Sequence, residues 1–332
     1  MSEYTVTNEL IVTLLNLKGI GRKTIAPFLV ENFSSLQNIS SIKEGVSEFR
    51  TYLSEKKKKL TFEDEDVEES KNKANFLLNM MINDSVEIID IFSKYYPIEF
   101  NELENDRPLI IYAKGNIDLL TQGNRISIIG SRKVTDKVGR IGQRVSQLIA
   151  ERGETIVSGL AIGSDTYGHA GALMVDNGKT IAILPSPLNN IVPTNNKQLA
   201  QDILDNNGLL ISEYPYGTPL TKGTFIERDR LQASLGNGVF VIDTSTTGGT
   251  FHAINLAYKL NKPISCLSSK YAELDGNQKL FKDYNALIID ERNSIDEFCA
   301  MCDDYVANNL NKNKEAPKSN QNNLHIEQTT LF

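Results

Sequence analysis

Three features are absent from the sequence: enough cysteines for a disulfide framework, a membrane-length apolar run and a recognisable catalytic cluster. The chain has three cysteines among 332 residues, which argues against a disulfide-rich secreted protein. No apolar run approaches the ~20 residues of a membrane span, and the first residues, MSEYTVTNEL, lack the basic and apolar segments of a secretory leader. We therefore expect a cytoplasmic protein that does not enter a membrane.

The residue patterns of catalytic and metal sites are missing as well. We find no Ser/His/Asp nucleophile pattern and no carboxylate cluster suited to two-metal catalysis. Cys299 and Cys302 form a C-x-x-C pair, but they lie on a predicted helix without a second pair of ligands. That context favours two small buried residues over a zinc or redox site. We expect a protein that is not an enzyme and that holds neither a cofactor nor a metal.

Charge is unevenly distributed along the chain. The net charge is −7, yet residues 1–106 carry 12 basic and 19 acidic side chains, residues 107–270 carry 17 and 12, and residues 271–332 carry 6 and 11. The centre of the chain is therefore basic and its flanks are acidic. A basic centre permits a surface that follows phosphates, although an excess of this size also occurs in domains that bind nothing anionic.

Short apolar runs alternate with amphipathic helical patterns through the basic centre. Continuous apolar strands are typical of a parallel sheet that is covered on both faces. The pattern predicts an α/β fold with a doubly wound, mainly parallel sheet. Its strands are predicted near 126–130, 155–158, 180–184, 208–212, 238–242 and 263–267. Its helices are predicted near 136–152, 164–176, 195–206, 226–236 and 249–260.

The flanks predict two further parts. We expect a small helical domain over residues 1–90, the α/β domain over 91–309 and a flexible, disordered polar tail over 310–332. In the helical domain, LKGIG at Leu17 to Gly21 lies between two short helices and resembles a helix-hairpin-helix, whose turn offers N–H groups to a DNA phosphate. A small helical domain whose turn merely needs glycine fits equally well.

Glycines and small residues follow several of the predicted strands. At such junctions, backbone N–H groups and the positive end of a helix dipole point towards the edge of the sheet, where an anion can bind. In open α/β sheets, ligands bind outside the carboxyl ends of the strands, where the strand order reverses. The predicted DNA or phosphate site consists of Gly130, Ser131, Arg132, Arg140, Ser158, Gly159, Gly163, Arg228, Arg230, Gly248, Gly249 and Thr250.

Parts of this site have a structural alternative. Gly130 to Arg132 also fits a tight turn that carries an exposed arginine. Arg228 and Arg230, two residues apart at a predicted helix start, can reach one anion or can form salt bridges with neighbouring acids. The glycines and hydroxyls at 246–250 favour phosphate binding, because a merely structural turn seldom needs so many small residues.

The order of these motifs resembles the bacterial DNA-processing protein A family, also called Smf. The matching segments are GSR, SGLAIGSDTYGHAGAL, GKTIAILPSPLNNIVPTNN, LLISEYPYGTPL, FIERDR and the GGT turn, within residues 91–267. The resemblance implies an extended Rossmann-like domain that binds single-stranded DNA without catalysis. It also implies a homodimer that loads the RecA recombinase and protects incoming strands in DNA recombination, DNA uptake and natural transformation.

Four positions depart from the pattern of that family. Pro185-Ser186-Pro187 replaces a glycine-rich turn, Asp229 replaces an asparagine, Asp243 replaces a glutamate, and Gly248 to Thr250 replaces Ser-Gly-Ser. The acid at position 229 adds negative charge to the path expected for DNA.

The C-terminal residues carry a second resemblance. Gln328 to Phe332 resembles the Gln-x-x-Leu-Phe peptide with which bacterial DNA polymerases and repair proteins bind the β sliding clamp. An extended segment on a flexible tail can present Gln328 to the rim of a groove and Leu331 and Phe332 to an apolar pocket. A tail that folds back on its own domain is the alternative.

A nucleotide-sensing protein of the same superfamily, for example in phage defence, is the alternative function. Gly248-Gly249-Thr250 resembles the Gly-Gly-x-Gly-Thr turn of the lonely-guy phosphoribohydrolases. Those enzymes need a glutamate three residues after the threonine, where this chain has Ala253. A pure interaction module that acts through the clamp is the third hypothesis.

Overall fold

The computed structural model describes residues 4–315 and divides them into two compact units. The first unit comprises residues 4–96, 103–111 and 308–315, and the second comprises residues 97–102 and 112–307. The predicted clamp peptide, with Gln328, Leu331 and Phe332, lies outside the described residues. None of the helices within residues 4–315 is long and apolar enough to cross a membrane.

The N-terminal part of the first unit is mainly helical. Its elements are α1 (Val6–Asn16), α2 (Arg22–Glu31), α3 (Phe33–Leu36), α4 (Ile42–Glu55), α5 (Asp64–Asn83) and β1 (Glu87–Asp90). Helix α1 begins after Thr5, whose side chain accepts a hydrogen bond from the Asn8 N–H while the Asn8 side chain accepts one from the Thr5 N–H. Aromatic rings fill the core of this unit, with the Phe28 ring centroid 4.9 Å from that of Phe49 and 5.5 Å from that of Tyr52.

The turn Leu17 to Gly21 connects α1 to α2. Gly19 has a φ of +80°, which a residue with a side chain adopts only with strain. Lys18, Gly19 and Gly21 are exposed, so the backbone of the turn is accessible. Contact between this turn and DNA stays a prediction.

The second unit is built on strands and helices that alternate. The strands are β2 (Ile110–Gly115), whose last four residues belong to this unit, β3 (Arg125–Ile129), β4 (Thr155–Ser158), β5 (Thr180–Leu184), β6 (Leu209–Ser212), β7 (Gly238–Val241), β8 (Ile264–Leu267) and β9 (Leu287–Ile289). The helices are α6 (Asp136–Glu151), α7 (Ser164–Leu173), α8 (Lys197–Asp205), α9 (Lys222–Leu235), α10 (Phe251–Lys259), α11 (Gly276–Tyr284) and α12 (Arg292–Glu315).

The strands of the second unit form a mainly parallel sheet in the order β2-β6-β5-β4-β3-β7-β8-β9. Strand β2 runs antiparallel to β6, and the remaining neighbours in this order are parallel. Ile126 in β3 pairs with Ile156 in β4 and with Gly238 in β7. The predicted doubly wound, mainly parallel α/β sheet is therefore confirmed.

Some element boundaries differ from the prediction. Helix α9 begins at Lys222, about one turn before the predicted start near 226, because the side chains of Thr221 and Thr224 each accept a hydrogen bond from the other residue's N–H at 3.3 Å. Helix α12 continues to Glu315, past the predicted start of the tail. Strand β9 and helix α11 were not predicted, since β9 has only three residues and the short, mainly polar sequence of α11 carries a weak periodic signal.

The strand order reverses between β3 and β7. From β3 the chain adds β4, β5 and β6 on one side, and β7, β8 and β9 extend the sheet on the other side. The turn that follows β3 begins at Gly130, and the turn that follows β7 includes Asp243. The carboxyl ends of these two neighbouring strands therefore form the crevice in which doubly wound sheets bind ligands.

Buried ion pairs stabilise the opposite, amino edge of the sheet. Arg125, at the start of β3, pairs with Glu99, and Lys262, which precedes β8, pairs with Glu102 at 3.0 Å. The ammonium of Lys262 also donates to the carbonyl of Gly236 at 2.9 Å. Burial lowers the pKa of Lys262, and Glu102 opposes that shift. These pairs fix the segment 97–102 to the second unit.

A buried carboxyl group lies near the two helical cysteines. Cys299 and Cys302 are buried thiols without a disulfide. Burial, and then the negative charge of Asp303, raises the pKa of Glu154 to about 7, while Arg152 opposes the shift. Folding therefore favours the protonated form of Glu154.

We expect the pH dependence of stability to reflect Glu154. Because its pKa is higher in the folded chain, its stabilising contribution is complete below the unfolded value of about 4.5 and is lost as the pH rises through about 7. Glu154→Gln should remove this pH-dependent loss of stability. In urea titrations, the free energy of unfolding of the variant minus that of the unmutated protein should therefore be higher at pH 8 than at pH 5 by about 1–3 kcal/mol. Glu151→Gln, at an exposed glutamate of α6, is the matched control. Equal pH dependence for both variants would contradict this assignment.

Candidate functional site

The candidate site lies at the carboxyl edge of the sheet, on both sides of the strand-order reversal. Four segments meet there: the turn 130–135 after β3, the turn 159–163 after β4, the turn 242–250 after β7, and the first half of α9. Backbone hydrogen bonds join the first of these turns to the third and to the start of α7. The Ser131 N–H donates to the Asp243 carbonyl at 2.7 Å, and the Ser164 N–H donates to the Ser131 carbonyl at 3.1 Å.

Gly130 and Gly163 permit this close approach of backbones. A Cβ at Gly130 would lie 2.8 Å from the Asp243 carbonyl oxygen and 2.4 Å from the Ser164 hydroxyl. A Cβ at Gly163 would lie 2.5 Å from the Ser131 carbonyl oxygen, and Gly163 has a φ of +81°. Both positions therefore require glycine for the turns to meet, whether or not a phosphate binds to them.

Asp165 shapes the turn that follows β4. Its carboxylate accepts hydrogen bonds from the N–H groups of Gly159 at 3.2 Å and Ala161 at 3.3 Å. Burial raises the pKa of Asp165, and the positive charge of Arg228 opposes this shift. Two backbone donors that point towards the crevice are thus occupied by a side chain of the protein itself.

Arg228 is buried beneath these turns. Its guanidinium donates to the carbonyls of Gly159 and, at 3.0 Å, Ile183, and to the Asp229 carboxylate at 3.1 Å. A Cβ at Gly159 would lie 1.4 Å from the Arg228 Nη1. Arg228 therefore joins the ends of β4 and β5 to α9, and Gly159 is small in order to admit it.

Arg230 is buried against a different set of partners. It makes two hydrogen bonds to the Glu213 carboxylate, at 2.7 and 2.8 Å, and one to the Glu227 carbonyl at 2.6 Å. Because α9 begins at Lys222, Arg228 and Arg230 both lie inside the helix, where residues two apart point to different sides. The two guanidinium groups therefore have separate partners, as in the salt-bridge alternative, and binding of one anion by both stays a prediction.

Arg132 is the exposed arginine of the crevice. Its guanidinium carbon lies 4.7 Å from the centroid of the Phe225 ring, in cation–π geometry. Ile226 and Ile162, which neighbour Phe225 and Gly163 in sequence, are about half exposed, at 48% and 46%. The crevice thus presents a positive group on an aromatic face with apolar surroundings. Sequence reasoning missed Phe225 because it considered only the arginines of FIERDR.

Exposed cations continue from Arg132 along one face of α6. Lys137, Arg140 and Arg144 follow one another in α6 at spacings of three and four residues, which places them on the same side of that helix, and the exposed Lys133 lies in the turn that precedes it. Arg140 pairs with Asp136 at 2.8 Å, and Arg144 pairs with Glu151 at 3.4 Å. Such exposed pairs contribute little energy, so these cations remain accessible to another anion.

The turn 246–250 is partly occupied by another segment of the chain. The N–H and hydroxyl of Thr246 both donate to the Asp275 carboxylate, each at 3.0 Å. Gly248 donates its N–H to Ser245, and no heavy atom lies within 4 Å of a Cβ at Gly249. The close packing that requires Gly130 is absent at Gly249. Binding of a phosphate by Gly248, Gly249 and Thr250 stays a prediction.

Two side chains of the predicted motifs belong to the interior. The Ser158 hydroxyl donates to the Ile128 carbonyl at 2.6 Å and is buried between strands, so its predicted role at a ligand is not supported by its position. His169 is fully buried, with Nδ1 2.7 Å from the Thr180 hydroxyl. Burial lowers the pKa of His169 to about 3, so its ring is neutral at physiological pH. Within residues 4–315, no three His, Cys, Asp or Glu side chains are grouped to hold a metal ion.

Comparisons with known proteins identify relatives of this chain. Residues 87–300 match the family model described as DNA recombination-mediator protein A. Protein Smf of Synechocystis is 36% identical over 163 residues, which are 48% of this chain and 40% of that protein, so the chain spans less than half the length of this relative.

Two solved structures share the fold. That of DNA processing protein A from Streptococcus pneumoniae has a TM-score of 0.69 at 23% identity, and the match covers 89% of this chain and 98% of that chain. A structure that describes the single-stranded DNA binding mode of DNA processing protein A from Helicobacter pylori has a TM-score of 0.59 at 30% identity, over 66% and 97% of the two chains. The resemblance found in the sequence is confirmed.

The buried and exposed arginines should differ in their effect on stability. Arg228→Met leaves two carboxylates and two carbonyls without their partner, and we expect a loss of about 3–5 kcal/mol in the free energy of unfolding. Arg132→Met keeps a long side chain on Phe225 and should change stability by less than about 1 kcal/mol. Urea unfolding of both variants at pH 7 measures the difference. Equal losses would contradict the assignment of Arg228 as the structural arginine.

Proposed function

The chain belongs to the DNA recombination-mediator protein A family, and on this premise we propose that it binds single-stranded DNA at the carboxyl edge of its sheet and acts in DNA processing and recombination. Binding of DNA, without catalysis of a reaction on it, is the proposed activity. Arg132 and Phe225 make the first contacts, and Arg228, Arg230 and Asp165 hold the turns that position them.

The pair formed by the exposed Arg132 and the half-buried Phe225 is the observation that carries this proposal. Single-stranded DNA offers both a phosphate for the guanidinium and unstacked bases for the aromatic face. The guanidinium lies 4.7 Å from the ring centroid, so the two groups form one platform. A free inorganic anion would use the arginine alone, whereas a nucleic-acid strand uses both.

The row of cations on α6 extends the proposed path. Lys137, Arg140 and Arg144 lie on the exposed side of that helix, away from its buried residues such as Val138 and Val145, and Lys133 is exposed in the turn before it. Neutralisation of successive phosphates by such a row releases counterions and makes affinity depend steeply on salt. We propose that the DNA backbone follows this row from Arg132 and that recognition is nearly independent of base sequence.

Two observations support a binding function over nucleotide hydrolysis. The neutral, buried His169 has no access to a ligand at the crevice. Ala253, itself buried in α10, stands where the phosphoribohydrolases that the 248–250 turn resembles carry a glutamate. The related Helicobacter pylori protein, whose structure describes single-stranded DNA binding, supports the choice of ligand.

The remaining parts of the proposal concern partners. We propose that the chain loads RecA onto the bound strand, as a homodimer, in DNA uptake, natural transformation or repair. We also propose that Gln328, Leu331 and Phe332, which lie outside the described residues, bind the β sliding clamp.

Replacement of Arg132 should weaken DNA binding specifically. We expect Arg132→Ala to reduce affinity for a labelled oligo-dT by about 10- to 100-fold and to lower the slope of log affinity against log salt by about 0.7–1, because one phosphate contact and part of the stacking platform are lost. Fluorescence anisotropy at several salt concentrations measures both quantities. Arg152→Ala, at the other end of α6, is the matched control, and equal affinities for the two variants would refute the proposed site.

Deletion of residues 328–332 should separate clamp binding from DNA binding. We expect the truncated chain to bind oligo-dT within about twofold of the full chain, since electrostatic contacts at the crevice are unchanged, and to lose binding to immobilised β clamp. Surface plasmon resonance with the full chain, the truncated chain and a Gln328→Ala variant gives the comparison. Retention of clamp binding by the truncated chain would refute this part of the proposal.

A further inference from the structure

Two carboxylates lie beside the buried guanidinium of Arg228. One of them, Asp229, comes one helical turn after Phe225, on whose ring the exposed Arg132 lies. Asp165 lies 3.8 Å and Asp229 3.1 Å from the guanidinium of Arg228, and their side chains are 8% and 18% exposed. We call Arg132, Arg228, Asp165 and Asp229 the Arg–Asp cluster. Asp229 is the more exposed of the two acids and belongs to the same helix as Phe225.

Arg132 interacts with both acids of the cluster. Its positive charge opposes the rise in pKa that burial causes at Asp165 and at Asp229. Arg228 acts on both in the same direction and more strongly, and at Asp229 the effect of His252, at the start of α10, is larger than that of Arg132. The ionised form of Asp229 also accepts the hydrogen bond from the Arg228 Nε.

The Arg–Asp cluster therefore has two positive and two negative groups. A phosphate that approaches Arg132 is attracted by that guanidinium and repelled by the carboxylates of the cluster. Around a cluster without net charge, further negative charges on the ligand gain little attraction. The cost of taking a ligand out of water rises steeply with its charge. Because the attraction gained is small and the cost of desolvation is large, the cluster favours a ligand with one negative charge per phosphate.

We propose that Asp229 tunes the crevice to phosphodiesters and against the multiply charged phosphate groups of free nucleotides. This inference rests on the proposed function, since it explains how a DNA-binding crevice avoids occupation by nucleoside triphosphates. A phosphodiester carries a single charge, whereas the phosphate chain of a nucleoside triphosphate carries several. Asp229 is thus a specificity-determining residue that acts through the field around Arg132.

Asp229→Asn tests the proposal with little change of shape. The asparagine Oδ1 can still accept the hydrogen bond from Arg228, so the turn and helix should be retained, which urea unfolding checks. We would measure binding of a labelled oligo-dT with a 5′-hydroxyl end, and its displacement by dTTP without added metal. The variant should bind the oligonucleotide about threefold more tightly and dTTP about tenfold or more. Asp283→Asn, which removes an exposed carboxylate near the end of α11, should change both by less than about twofold.

The outcomes separate this inference from the proposed function. If the unmutated chain fails to bind oligo-dT, the proposed function itself is wrong. Suppose that it binds through Arg132. If Asp229→Asn then raises the affinities for oligo-dT and dTTP by the same factor, leaves both unchanged or lowers both, the selectivity assigned to Asp229 is wrong.

A double variant tests the route of the effect. When Arg132 is already alanine, Asp229→Asn should raise the affinity for dTTP by less than about twofold, because the attraction between Arg132 and the phosphates, which the carboxylate balances, is gone. A gain that persists in full would show that Asp229 does not act through Arg132 and would overturn the proposal.

Discussion

The guanidinium of Arg228 is the interaction on which the candidate site depends. It joins the carbonyls of Gly159 and Ile183, at the ends of two neighbouring strands, to the helix that carries Arg228 itself. The buried charge of Arg228 has Asp165 at 3.8 Å and Asp229 at 3.1 Å as neighbours of opposite sign. Arg228 thereby anchors α9, which carries Phe225, to the ends of β4 and β5.

The two ends of the sheet use buried charge for different purposes. At the amino edge, Arg125 and Lys262 pair with Glu99 and Glu102, and the pairs fix one short segment of the chain to the sheet. At the carboxyl edge the buried ion pairs lie beside an exposed arginine, so their charges also act on a ligand. The same physical device is structural at one edge and can be functional at the other.

The sequence predicted the sheet well because its strands are continuous apolar runs such as Ile126 to Ile129, which are recognisable without knowledge of their partners. It also identified Gly130 and Gly163, because glycines that directly follow a strand or precede a helix are recognisable locally, although the atoms that require them to be glycine belong to other turns. It left two alternatives open for Arg228 and Arg230, because the directions of their side chains depend on where α9 begins. That boundary is set by the hydroxyl of Thr221, about one turn upstream of the predicted start. The pairing of Phe225 with Arg132 joins residues far apart in the chain, and no local pattern reveals it.

Gly159 and Arg228 are in contact, and this contact also couples the substitutions that evolution can accept at the two positions. A side chain at position 159 would overlap the guanidinium, at 1.4 Å from Nη1, and loss of the guanidinium would leave two carbonyls and two acids unpaired. Any route of single substitutions from this pair to another therefore passes through a damaged intermediate, so the two positions should be inherited together. Asp229 is under no such restriction, because an amide of the same shape keeps its hydrogen bond. Lineages can thus diverge in ligand preference at that position while the scaffold around it stays unchanged.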